Sequence, residues 1–229
     1  MANISVRRYI RWIPAPASEP TSTIVLTSPG RHFVDVRTLL GLGAAGARLD
    51  WAFAGTSSSH PAQDPGARRA TWRHWVDSST AEAESVVDEA LVRDVGDAAG
   101  TELEAGRMVN PATGEEADYE EAWVSVEPMA SGAGPLDRPA CAVLRTCDDE
   151  RQERGMIVLV GQFCQGILRV GEAVTAERWE WRPERGWALS ERFGQDTLPI
   201  EALVGGKETL TVGSLIEDGV RAWTVIEAE

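Results

Sequence analysis

Apolar and polar residues alternate along most of this chain, and a helical period is scarce. In the first segment Ile4, Val6, Ile10 and Trp12 share one face. The same alternation returns over residues 49–54, 72–77, 119–123 and 178–182. Because successive side chains of a strand point to opposite faces, these runs predict half-buried β-strands.

Turn-forming residues separate the alternating runs. Such signals stand at Ser28–Gly30, Asn110–Pro111, Pro183–Gly186, Gly205–Gly206 and Asp218–Gly219. The spacing predicts about fifteen short strands, as in sandwiches and barrels. The helix candidates are two segments, near Ala81–Leu91 and at Leu198–Leu203.

A segment rich in glycine and proline, Met129–Pro139, is the best candidate for a linker. It divides the chain into residues 1–130 and 139–229, each with six or more predicted strands. Closing a sheet into a barrel removes its exposed edges. We therefore expect an all-β fold of two antiparallel, lipocalin-like β-barrel halves with very little helix, and a ligand pocket in the first.

Composition limits the function classes. Hydrophobic residues make up 43% of the 229, enough for one or two cores, and the formal net charge is -14. A surface this negative repels phosphate backbones and anionic lipids, so nucleic acid and membranes are poor partners. The three cysteines and the lack of an apolar N-terminal run predict a cytoplasmic protein with reduced thiols.

Familiar catalytic motifs are absent from the sequence. It has no nucleophile elbow, P-loop, dinucleotide fingerprint or HExxH pattern. The histidines (His32, His60 and His74) lie far apart, so a histidine-based metal site is not expected. We expect neither a metal nor a cofactor.

Three polar residues interrupt apolar faces: Arg8, His74 and Glu121. A buried charge needs a partner, and Arg8 with Glu121 is the natural pair if both point inward. One interpretation is a buried ion pair within a core. The other is a cavity in which these groups orient an oxygen atom of a ligand.

Tryptophan is abundant, with nine in the chain. Trp51, Trp72 and Trp123 share the predicted inward faces of the three polar residues. Core packing and a pocket for a planar ligand explain them equally well. The candidate binding residues are Trp51, Phe53, Trp72, Tyr119 and Trp123.

Several blocks resemble the fungal Hri-one family, over nearly the whole chain. They are SVRRYIRW (5–12), FVDVR (33–37), LDWAFAGTS (49–57), HWVDS (74–78), NPATG (110–114), YEEAW (119–123) and GQFCQGILRVG (161–171). The resemblance implies two barrel-like halves and a cytoplasmic protein. Residues 86–100 and the short loop Gly41–Ala47 depart from the family pattern. Either a pocket adapted to a new function or neutral drift explains this departure.

The resemblance implies more than one function. Some relatives are hetero-Diels–Alderases of fungal tropolone–sesquiterpenoid biosynthesis, and the founding yeast member is regarded as a kinase-interacting protein. A cycloaddition needs two reactants held in a reactive pose, with a hydrogen-bond donor at the oxygen of the heterodiene. In that interpretation Arg8 or His74 donates, Glu121 positions Arg8 or assists water loss, and the aromatic residues stack on the tropolone.

Three hypotheses therefore stand. The first is a cofactor-independent pericyclase of secondary metabolism that acts on a tropolone and a sesquiterpene. The second is a lipocalin-like binder of a small molecule without turnover. The third is an interaction module with a protein kinase as partner, favoured by a fully packed interior. The sequence leaves a homodimer open.

Overall fold

The computed structural model describes residues 1–41, 48–131, 139–205 and 210–229. These residues form fifteen strands, the number that the turn spacing predicts, and very little helix. The all-β prediction is confirmed. Most of the candidate linker and the loop after Gly41 lie outside the described residues.

The first eight strands close into one antiparallel barrel, in which each strand pairs with the next and β1 pairs with β8. Their bounds are β1 Asn3–Trp12, β2 Thr21–Thr27, β3 His32–Leu39, β4 Leu49–Pro61, β5 Ala67–Asp77, β6 Val87–Asp94, β7 Glu102–Asn110 and β8 Glu115–Val126. Closure leaves no unpaired strand edge.

The remaining strands form a second antiparallel sheet, in the order β13-β12-β11-β10-β9-β15-β14. They are β9 Cys141–Asp148, β10 Glu153–Val160, β11 Phe163–Val170, β12 Ala173–Arg182, β13 Gly186–Phe193, β14 Leu215–Glu217 and β15 Ala222–Ala228. Among the described residues this sheet stays open, with β13 and β14 at its edges, so a second barrel is not confirmed. The division into two domains stays a prediction.

The outer wall of the barrel packs against one face of the second sheet. One apolar core takes residues from both halves, among them Leu26, Val34 and Val36 of the barrel and Val158 and Ile167 of the sheet. Burial of apolar area contributes roughly 25 cal/mol per Å². This shared core therefore joins the halves into one packed unit.

A polar pair reinforces the contact between the halves. The Gln165 amide donates to the carbonyl oxygen of Ile24 at 2.9 Å, and the Arg178 guanidinium donates to that of Val36 at 2.6 Å. Arg178 also donates to the Gln165 carbonyl oxygen at 2.6 Å. These buried donors fix the register of the barrel on the sheet, since an unpaired buried polar group is costly.

The opposite face of the second sheet carries its own core. Leu144, Ile157 and Trp223 are fully buried there against a short helix, α1 (Ile200–Val204). This helix confirms the candidate at Leu198–Leu203. The candidate at Ala81–Leu91 is wrong: a 3-10 turn at Ala83–Ser85 is followed directly by β6, because the segment pairs with β5 and β7.

Bulges reverse the predicted faces of two strands. In β1 the pairing with β8 shifts between Arg7 and Tyr9. Ile4 therefore packs outward on the second sheet, whereas Ile10 and Trp12 lie opposite the inward-facing Glu121 and Tyr119. A similar shift in β5 turns Val76 outward, away from Trp72 and His74. The extra residue of a bulge changes which face the following side chains occupy.

Candidate functional site

The barrel encloses a cavity of about 220 Å³, to which all eight strands contribute. Its inner wall is largely polar in its deep part and aromatic on one side. Exposed side chains among its lining residues, including Arg31, Ser58, Glu89 and Arg107, mark where it reaches solvent. The interior of the barrel is therefore a cavity rather than a fully packed core.

The five aromatic residues expected to bind a ligand all line this cavity: Trp51, Phe53, Trp72, Tyr119 and Trp123. The rings of Trp51 and Phe53 lie 4.1 Å apart between centroids. The Trp51 indole N–H donates to Asp77 at 2.9 Å, which fixes the orientation of its ring. Alternation in β4, β5 and β8 predicts these five side chains on inward faces, and all five line the cavity; their role in binding stays a prediction.

The expected inward position of Arg8 is wrong. Arg8 is exposed at the bulge of β1, and its neighbour Arg7 is 5% exposed and points inward. Arg7 forms a short ion pair with Glu121 and donates to Glu19 at 3.0 Å and to Thr21 at 2.6 Å. The predicted buried arginine–Glu121 pair therefore exists, but one residue earlier in the chain.

A second buried arginine, Arg37 of β3, completes an ionic cluster at the base of the cavity. Its guanidinium donates to Asp35 at 2.8–3.0 Å and to Glu121 at 3.4 Å. It also lies 5.0 Å from the Trp51 ring centroid. Burial alone would lower the pKa of Arg37, but the charges of Asp35 and Glu121 raise it above its ordinary value.

Glu104 is a buried acid without a cationic partner among the described residues. It lies directly opposite Glu121 on the neighbouring strand, and the Tyr119 hydroxyl donates to it at 2.9 Å. Burial, with the adjacent Glu121 charge, raises the pKa of Glu104 to about 8. The same burial and the two carboxylates raise the pKa of Tyr119. Glu104 therefore holds its proton to a higher pH than an ordinary glutamate, and it lines the cavity.

His74 is buried behind the aromatic wall, stacked on Phe53 at 4.4 Å between ring centroids. Its Nδ1 lies 2.8 Å from Asp77 and its Nε2 lies 3.1 Å from Asp88. Burial alone would lower the pKa of His74, but these two carboxylates raise it to about 8. Because protein groups occupy both ring nitrogens, His74 supports the wall and has no free donor for a ligand.

Sequence reasoning missed four residues of the ionic cluster, Arg7, Glu19, Asp35 and Arg37, and also the nearby acid Glu104. In β3 the buried polar residues Asp35 and Arg37 alternate with Val34 and Val36. That strand carried a usable signal, since alternating charges between valines indicate a lumen-facing polar row. Arg7 was concealed by the bulge, and nothing distinguishes Glu104 from the other acids of β7.

Two polar atoms in the cavity wall lack hydrogen-bond partners within the described part of the chain. They are Asp35 Oδ1 and the indole nitrogen of Trp123. Buried groups of this kind are rarely left unpaired. Both atoms are themselves inaccessible, so they lie unpaired within the wall and are not open to the space of the cavity.

The described ranges contain no cluster of three or more histidine, cysteine, aspartate or glutamate side chains that could hold a metal ion. None of the helices in these ranges has the length and apolar composition of a membrane-spanning helix.

Comparisons with known proteins cover the whole chain. A family model described as "Protein HRI1" matches residues 3–227. A protein of that name from Kluyveromyces lactis is 23% identical over 246 residues, which span 100% of this chain and 99% of the relative. The crystal structure of an uncharacterized protein from Saccharomyces cerevisiae superposes with a TM-score of 0.77 at 19% identity, covering 100% of this chain and 99% of the other.

Proposed function

The chain belongs to the Protein HRI1 family, which is the Hri-one family that its sequence resembles, and we propose that it binds one small ring-bearing molecule inside its barrel. The observation that carries this proposal is the cavity of about 220 Å³ between an aromatic wall and a cluster of buried charges. Aromatic surface with a few oriented polar groups is the usual composition of a ligand site. A fully packed interior, the feature that favours a pure interaction module, is not what the barrel contains.

The size of the cavity sets the size of the ligand. An apolar cavity of about 150 Å³ accommodates benzene, so 220 Å³ corresponds to roughly nine non-hydrogen atoms. One ring with a short polar substituent fits. A ligand of this size would lie against Trp51, Trp72 and Trp123, with its polar group toward Glu104.

A set of small aromatic fragments, screened by saturation-transfer NMR, tests the proposal. Ala70 is buried and lines the cavity, so Ala70→Phe would place a ring-sized side chain in the ligand's space. Ala112→Phe, at an exposed turn, is the matched control. We expect fragments that bind the wild type and the control but not Ala70→Phe. Equal binding to all three proteins, or to none, contradicts a ligand site in the barrel.

The second candidate function is the cycloaddition of a tropolone quinone methide with a humulene-type sesquiterpene. The observation that favours it is Glu104, a carboxyl that keeps its proton up to about pH 8 beside Tyr119 and the aromatic wall. Such an acid can assist water loss from a hydroxymethyl-tropolone. The cavity has room for the tropolone, so the larger terpene would have to approach through the mouth.

Incubation with a hydroxymethyl-tropolone precursor and humulenol tests this candidate. Catalysis predicts a product ratio different from the uncatalysed control, and a loss of that difference in Glu104→Gln. The exposed substitution Glu184→Gln serves as the control variant. Product ratios equal to those without protein contradict the cycloaddition and leave the binding proposal standing.

A further inference from the structure

We propose that the ligand of this barrel is a small organic cation, an aromatic or heteroaromatic ring bearing a protonated amine, with its ammonium group held against Glu104. This inference rests on the proposed binding function and adds the chemical class of the ligand. Three independent features of the cavity support it.

The first feature is the free oxygen of Glu104. This side chain is 9% exposed and lines the cavity. Its Oε1 accepts the bond from the Tyr119 hydroxyl at 2.9 Å, and no described residue donates to its Oε2. An ammonium group brings three donors, so it can bond to this oxygen. A ligand without a donor would leave the oxygen unpaired.

The second feature is the charge of the wall. Six acidic residues and four arginines line the cavity. In its deep part Arg7 and Arg37 are already paired with Glu19, Asp35 and Glu121, and Glu104 forms no ion pair with a described residue. Arg31 is the lining guanidinium without an ion pair among the described residues, and it is exposed at the mouth. A deeply bound anion would therefore face carboxylates with no unpaired guanidinium beside them, whereas a cation would pair with Glu104.

The third feature is the aromatic wall itself. The faces of tryptophan rings attract cations within about 6 Å of the ring centroid. Arg37 already uses Trp51 in this way. Trp72 and Trp123 also line the cavity and offer ring faces to a cation.

The buried carboxyl of Glu104 links binding to protons. Below about pH 8 it carries a proton, because burial and Glu121 disfavour its charge. An ammonium group beside Glu104 favours its charged form. Binding would therefore release the proton of Glu104 to solvent and form a carboxylate–ammonium pair. Affinity should therefore rise by up to about tenfold per pH unit between pH 6 and 8, and level off above.

Three probes that share a phenyl ring and chain length test the assignment: phenethylamine, phenethyl alcohol and phenylacetate. Isothermal titration in two buffers with different ionisation enthalpies measures both affinity and proton release. We expect the amine to bind at least about tenfold more tightly than the alcohol, the carboxylate to bind weakest, and only the amine to release a proton at pH 7. Glu104→Gln should weaken amine binding and abolish proton release, and Glu184→Gln should change neither.

The contradicting results differ from those of the fragment screen. The cation assignment is overturned if the alcohol or the carboxylate binds as tightly as the amine, or if none of the three probes binds. It is also overturned if Glu104→Gln keeps the proton release of the wild type. The binding function itself fails only if the whole fragment set shows no binding that depends on Ala70.

Discussion

At the scale of single residues, two neighbouring arginines have opposite roles. Arg7 is buried between Glu19 and Glu121, and Arg8 points to solvent. Removing one partner of a buried ion pair costs about 3–5 kcal/mol, whereas exposed substitutions usually change stability by less than about 0.5 kcal/mol. We expect Arg7→Ala to lower the free energy of unfolding in urea by that larger amount and Arg8→Ala to leave it nearly unchanged. A larger loss for Arg8→Ala contradicts the placement of the bulge.

His74 makes stability depend on pH. Its pKa is about 8 in the folded protein against about 6.5 in the unfolded chain, so Asp77 and Asp88 stabilise the fold by about 2 kcal/mol below pH 6.5. That stability is lost as the pH rises from 6.5 through 8. Deprotonation of Glu104 also lowers the free energy of unfolding as the pH rises, and this loss begins near the ordinary carboxyl pKa.

Urea unfolding at pH 6, 7, 8 and 9 measures this dependence. We expect the free energy of unfolding to fall across this range in the wild type. In His74→Gln the free energy of unfolding should fall less, because the loss caused by deprotonation of His74 is absent. In Glu104→Gln that loss should remain. An unchanged slope in His74→Gln would contradict a buried imidazolium.

Alternation predicted the site residues that share one regular stretch of strand, which in β4 begins after the pairing shift that precedes Trp51. Trp51 and Phe53 in β4 and Tyr119, Glu121 and Trp123 in β8 line the cavity as expected. Their chemical partners were not predictable, because contacts such as Tyr119 with Glu104 depend on which strands pair and in what register.

At the scale of strands, local irregularity decides which face is inside. The apolar run Ile4, Val6, Ile10 and Trp12 suggests one face, but the bulge at Arg8 assigns its two ends to different surfaces. The apolar residues of the barrel strands therefore serve two environments, the outer contact with the second sheet and the inner wall. Period alone cannot separate these, since both are buried.

The pairing of β7 with β8 contains a close contact that positions Tyr119. Gly106 lies directly opposite Tyr119, and a Cβ at Gly106 would be 2.7 Å from the Tyr119 hydroxyl oxygen. Gly106→Ala should displace the ring, break its bond to Glu104 and destabilise the protein by about 1–3 kcal/mol. In a Tyr119→Ala background the same substitution should cost much less, which a double-mutant cycle in urea measures. Equal costs in both backgrounds would contradict this contact.

At the scale of the whole molecule, the barrel depends on the second sheet. Its outer wall contributes Ile4, Leu26, Val34 and Val36 to the shared core, and all four are buried. A fragment of residues 1–130 would expose this surface, so we expect it to aggregate or to lose cooperative thermal unfolding in near-UV circular dichroism. The full chain should unfold in one transition. A soluble fragment with the full chain's melting temperature would contradict the shared core.

If the closed barrel binds one small molecule, a co-crystal structure grown with phenethylamine will show it. We expect density for one ligand inside the barrel, with the ring on the aromatic wall and the amine within hydrogen-bonding distance of Glu104. A barrel that holds only its own side chains or water at a saturating ligand concentration would contradict a binding site there.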